Sequence, residues 1–165
     1  MISRSDVELT FEDTVLAIKH AELRRYEALY AGLKDKFFGN HLSEMEVFKR
    51  EAAAVSAEIA VAKWLGMKLA LRINTFHNEP DLGTDIEVRC ILKPNNDLVI
   101  RKNDIGTRRF VLVYVSRFKA KLIGWLYGYE GMESDYILNP NGKGEAWFIP
   151  QGRLYGMDTF EKGVI

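Results

Sequence analysis

Apolar residues recur every three to four positions along the first third of the chain and every second position along much of the rest. Phe11, Val15, Ile18, Tyr26, Leu29 and Leu33 fall on one stripe of an amphipathic helix. Glu22 interrupts that stripe, and Leu23 beside it partly fills the gap. Thr10 with Asp13 three residues on has the form of a capping box and predicts a start near Phe11. Gly39-Asn40 marks a break. Ser43 with Glu46 is a second capping box, followed by the stripe Met45, Phe48, Ala52, Val55, Ile59 and Ala62, with Gly66 as its stop. Glu44, Glu51 and Glu58, seven residues apart, line one edge of that helix, so Glu58 sits at the border of core and solvent.

Beyond Gly66 the pattern predicts strands over 68–76, 85–92, 97–101, 109–115, 121–129 and 145–149. Pro94-Asn95-Asn96 and the segment 139–144 supply turns. The layout is α+β, an N-terminal helical hairpin followed by a mixed, mostly antiparallel sheet. It is expected to be a single domain over 1–165, with 1–41 as a helical extension and 42–165 as the core.

The strand beginning at Asp85 carries the most chemistry. Alternate side chains of a strand share a face, so Asp85, Glu87 and Arg89 project together, while Ile86, Val88, Cys90 and Leu92 point into a core. Pro80-Asp81-Leu82-Gly83 sets a further carboxylate at the turn just upstream. Converging carboxylates suit a hard divalent cation, and a fixed cation beside them suits a phosphate. An ordinary half-buried strand with its polar face in water shows the same alternation.

Pro80-Asp81, then Glu87-Val88-Arg89 in the next strand, with Glu58 on the preceding helix, resembles the PD-(D/E)xK nucleases of the restriction-endonuclease-like superfamily, in particular small phage and bacterial members. The match covers roughly residues 50–116. The resemblance implies a restriction-endonuclease-like core and Mg²⁺- or Mn²⁺-dependent hydrolysis of DNA phosphodiesters in DNA processing, repair or recombination. It implies that Asp81, Glu87, the Val88 carbonyl and Glu58 hold the metal, with Asp85 as the alternative to Asp81. Arg89 stands where the family has lysine; it keeps the charge and offers a fork to phosphate oxygens, but its pKa is too high for a base. Lys93, four residues on, is a substitute for the missing lysine. Arg101, Lys102, Arg108 and Arg109 would track the DNA backbone. A non-catalytic member that keeps the fold and binds nucleic acid or protein is the alternative. The stripe of the first helix would pack on its own sheet or form a homodimer seam.

Composition narrows the classes. The chain has 165 residues, 47% of them apolar and 28% charged, which describes a globular protein with a real core. With 23 basic and 23 acidic residues the formal net charge is zero, which counts against coating nucleic acid by bulk electrostatics. No apolar run is long enough for a transmembrane helix, the N-terminus lacks a signal-peptide core, and the lone Cys90 cannot staple the fold; a reducing cytoplasm is expected. His20, His41 and His77 lack the spacing of a zinc site. Trp125, Tyr127, Tyr129 and Trp147 are aromatic residues on predicted strands, a pattern of cross-strand packing or of base stacking.

Overall fold

Thr10 and Asp13 exchange the expected pair of hydrogen bonds, Thr10 N to Asp13 Oδ2 at 2.8 Å and Asp13 N to Thr10 Oγ1 at 3.1 Å, and start helix α1 (Phe11–Tyr30). The Ser43–Glu46 capping box starts α2 (Glu44–Leu65), which ends on Gly66 in the left-handed region at φ 68°. A glycine tolerates that conformation without the Cβ clash any other residue would meet. The chain is described by a computed structural model over residues 5–30, 43–69, 79–140, 142 and 144–162. The strand expected over 68–76 lies mostly outside the described residues, as do Leu33, His41 and His77.

Strands β1 (Ser5–Glu8), β2 (Ile86–Ile91), β4 (Arg109–Ser116) and β5 (Lys119–Tyr127) form a four-stranded sheet in the order β1-β5-β4-β2. β2 runs parallel to β4 and the other pairs are antiparallel, so the sheet is mixed, and β2 is its edge. β3 (Leu98–Arg101), β6 (Ile137–Leu138) and β7 (Ala146–Ile149) form a second, antiparallel sheet in the order β3-β7-β6. The α+β class holds. The two faces of the large sheet meet different layers: Val111, Val113 and Leu122 pack with Val55, Ile59 and Ala62 of α2, while Phe110, Leu112 and Ile123 pack with Leu98, Ile100 and Ile149 of the small sheet.

Four expectations change. Residues 5–8 form a sheet strand rather than part of a helical extension, and Ala17 of α1 lies in the main core, so residues 5–30 belong to the body of the fold. The apolar stripe of α1 faces outward, with Phe11 72% and Leu29 57% exposed, and Ala17 and Ala21 are the residues buried instead. Small side chains let α1 approach α2 closely, which the bulky stripe would prevent. β5 stops at Tyr127, whose N–H donates to Glu130 at 2.9 Å, and Gly128–Gly131 forms the short helix α3, so Tyr129 lies on a helical turn. Leu92 falls beyond the end of β2 and is exposed.

Candidate functional site

β2 shows how alternation becomes chemistry. Ile86 and Val88 are buried in the cluster under α2 and Cys90 packs against it, as the pattern requires. Glu87 and Arg89 therefore project to the opposite side, over Phe110, whose ring lies 5.1 Å from the Arg89 guanidinium. That face is covered: Glu87 is only 8% exposed. Immediately upstream, Leu82 and Ile86 exchange two backbone hydrogen bonds of 3.1 and 3.2 Å, closing a tight turn that Gly83 permits at φ 57°. The turn swings Asp81 back against the open edge of β2, where its Oδ2 accepts the Val88 N–H at 2.8 Å. A strand residue presents its N–H and C=O to the same side, so the Val88 carbonyl faces this edge too.

From the other side, α2 brings Glu58, 5% exposed. Burial is the largest influence on its carboxyl and raises the pKa to about 7; Arg24 pulls it down, and the charges of Asp81 and Glu87 push it up. Glu87 is raised in the same sense, by burial first and then by Asp81, against the pull of Arg89 and Arg108. Three carboxylates from a helix, a turn and a strand thus sit close enough to repel one another. The Cys90 thiol, pushed up to about 12 by burial and by Glu58, is no nucleophile.

Arginines balance these acids. Arg24 of α1 donates to both oxygens of Glu58, at 3.0 and 2.9 Å. Arg108, 7% exposed, donates to Glu87 Oε1, and Arg89 reaches Glu87 Oε2 at 3.3 Å. Arg89 is itself clamped, through Nη2 to Asp104 at 2.7 Å and through Nε to the Val99 carbonyl at 3.2 Å. Asp104 also accepts the Arg101 N–H at 2.7 Å, fixing the turn after β3.

Asp81, Glu87, Glu58, Arg89 and Arg108 are therefore gathered in one place. Asp85 is not: both its oxygens accept from Arg109, at 2.6 and 2.7 Å, and Arg109 also donates to the Glu161 carbonyl and lies over the Phe160 ring. Arg108 and Arg109, expected to track DNA, are committed to carboxylates of their own chain. Lys102 pairs with Glu145 at the surface, Arg101 is half-buried, and Lys93 lies in the exposed turn after β2. Pattern reading missed Arg24 and Asp104. The signal for Arg24 was the small-residue file Ala17, Ala21, Ala28 on the face it shares, which marks a close helix contact.

Hard oxygen donors of this kind suit Mg²⁺ or Mn²⁺, and the mutual repulsion of Glu58, Asp81 and Glu87 is the condition a divalent cation relieves. As arranged, guanidinium groups rather than a cation supply the positive charge, and among the described residues no three His, Cys, Asp or Glu side chains converge as a metal-holding group. No described helix is long and apolar enough to cross a membrane. Comparison with family models, with curated proteins and with solved structures gives no match.

Proposed function

We propose that this chain is a Mg²⁺- or Mn²⁺-dependent nuclease on a restriction-endonuclease-like core, hydrolysing DNA phosphodiester bonds in phage or bacterial DNA processing, repair or recombination. The observation that carries the reading is that the charges of Asp81 and Glu87 act on Glu58 and that of Asp81 on Glu87, with Arg89 and Arg108 bonded to Glu87. Two buried carboxylates that feel each other and a third acid support a functional reading, because burying like charges costs stability.

Asp81, Glu87, Glu58 and the Val88 carbonyl are the groups that would hold the ion. When bound, a divalent cation supplies Lewis-acid polarisation of the phosphate and lowers the pKa of a coordinated water. The Val88 N–H orients Asp81, while Asp104 and the Val99 carbonyl hold the Arg89 guanidinium in place. Arg89 contributes a fixed positive charge where negative charge develops on the phosphate, and no proton transfer. Lys93 is exposed and would meet backbone phosphates, while Lys102, paired with Glu145, would have to exchange that partner for one. The outward apolar face of α1, including Phe11, Tyr26 and Leu29, supports pairing with a second copy.

A second reading, a non-catalytic member that binds nucleic acid or protein, is favoured by one observation: all three kinds of Arg89 nitrogen are engaged within the chain. The dividing experiment incubates wild type and Glu87→Ala with single-stranded, duplex and branched DNA in Mg²⁺ or Mn²⁺. Cleavage by the wild type alone supports the enzyme. Binding of DNA without cleavage, equal in both proteins, supports the second reading.

A further inference from the structure

Four arginines, Arg24, Arg89, Arg108 and Arg109, each bond a carboxylate of their own chain. Arg153 does not. Among the described residues it forms no ion pair, and its guanidinium lies 6.0 Å from the centre of the Tyr136 ring. It lines a cavity of about 200 Å³ together with Glu130 and Glu133. Glu133 likewise forms no ion pair among the described residues. Charges of both signs thus face one space without closing on each other. The wall beside them is firmly held. Tyr155 exchanges backbone hydrogen bonds with Trp125 at 3.0 and 2.9 Å, and its hydroxyl donates to Glu130 Oε1 at 2.6 Å. Glu130 Oε2 accepts the Tyr127 N–H at 2.9 Å, so both oxygens are engaged. Arg153 ends the 3-10 turn Gln151–Arg153, which the Gln151 amide pins to the carbonyls of Pro94 and Asn96 at 2.7 and 2.9 Å. Leu126 of β5 and Ile149 of β7, both buried, supply an apolar floor.

Sites for drug-sized ligands run from about 300 to 1,000 Å³. This smaller cavity suits a molecule on the order of ten non-hydrogen atoms. A carboxylate without a partner calls for a cation, and the fork of a guanidinium calls for a carboxylate or phosphate. The apolar floor and the Tyr136 ring call for a hydrocarbon body between the two. A phosphate would meet repulsion from Glu130 and Glu133, and a simple amine would meet it from Arg153. We infer that the cavity binds a free α-amino acid with an apolar side chain, its ammonium at Glu133 and its carboxylate at Arg153. Glu130 and Tyr155 hold the shape of the site. None of Glu58, Asp81 and Glu87 lines the cavity, so the inference stands whether or not the nuclease reading does.

The test is calorimetric titration of the full chain with leucine, leucinamide and N-acetylleucine, which carry both charges, the ammonium alone and the carboxylate alone. Methionine and phenylalanine are titrated in the same three forms. The zwitterion is expected to bind about tenfold tighter than either single-charge form, the scale of one hydrogen bond to a charged group. Arg153→Gln is expected to bind the zwitterion no better than the amide, and Glu133→Gln no better than the N-acetyl form. Both side chains are exposed, so both variants are expected to keep the fold. Binding of a zwitterion with this charge dependence supports the inference. A single-charge form that binds as tightly as the zwitterion overturns it, as does a variant that keeps the full wild-type preference. No saturable binding of any of the three amino acids up to about 10 mM also overturns it. None of these outcomes bears on DNA cleavage.

Discussion

At the start of β2, Asp85 accepts two hydrogen bonds from Arg109; at its open edge, Glu58 accepts two from Arg24. Both are two-bond guanidinium–carboxylate contacts, shorter at Asp85 (2.6 and 2.7 Å) than at Glu58 (3.0 and 2.9 Å), and their surroundings differ. Asp85 meets one guanidinium, which is further held by the Glu161 carbonyl and stacked on Phe160. That pair joins Asp85, the residue just before β2, to Arg109, the first residue of the parallel strand β4, whose backbones also bond at 2.7 Å, and it is a strut. Glu58 shares its interior with Asp81 and Glu87, and its carboxyl is raised where a simple ion pair would lower it. Two bidentate contacts thus sit in different surroundings, and burial first, then the neighbouring acids, sets the Glu58 carboxyl apart.

The sharpest way to break this comparison is to delete an acid from each group. Asp81→Ala or Glu87→Ala is expected to reduce DNA cleavage by about three orders of magnitude, the scale of losing a group that manages charge at the reacting centre. Asp85→Ala is expected to leave the cleavage rate unchanged, measured on the same substrate. Equal losses would place Asp85 in the site and abolish the distinction.

Acid titration separates the two pairs next. The Glu58 carboxyl moves from 4.5 in the unfolded chain to about 7 in the folded one. The folded state therefore holds its proton more tightly, so the stability this group contributes is complete below pH 4.5 and is lost as pH rises through 7. The loss amounts to about 3 kcal/mol at most. Urea unfolding at pH 5 and pH 7.5 should show that decline in the wild type and a flatter profile in Glu58→Gln.

Arg109→Ala, by contrast, should lower stability by about 2 kcal/mol, the scale of hydrogen bonds to a charged group, and keep the wild-type pH slope because Glu58 is untouched. Chemical denaturation at the same two pH values reads both. The smallest effect concerns the outward face of α1: Tyr26→Glu with Leu29→Glu should change stability by no more than about 0.5 kcal/mol, since both side chains are exposed. If α1 pairs with a second copy, sedimentation will show a dimer for the wild type and a monomer for the double variant.

Both helix starts were legible, and five strands, expected over 85–92, 97–101, 109–115, 121–129 and 145–149, lie within two residues of those bounds, because caps, turn residues and alternation are local signals. The faces of β2 followed from the same rule, down to Val88 under α2 and Glu87 opposite. Strand β1 was hidden because Ser5-Asp6-Val7-Glu8 carries one apolar residue and owes its existence to pairing with β5. The stripe of α1 had two readings, packing on its own sheet or a homodimer seam, and the first fails because Ala17 and Ala21 are the residues buried instead. Arg24 was missed because its partner, Glu58, lies 34 residues away in sequence. Arg108 and Arg109 looked like a basic patch because the acids that claim them lie more than twenty residues away in sequence.

Anomalous scattering from crystals soaked in Mn²⁺ tests the central claim most directly. The account predicts a peak bounded by the carboxylates of Asp81, Glu87 and Glu58. No peak beside those carboxylates at saturating Mn²⁺ would contradict it.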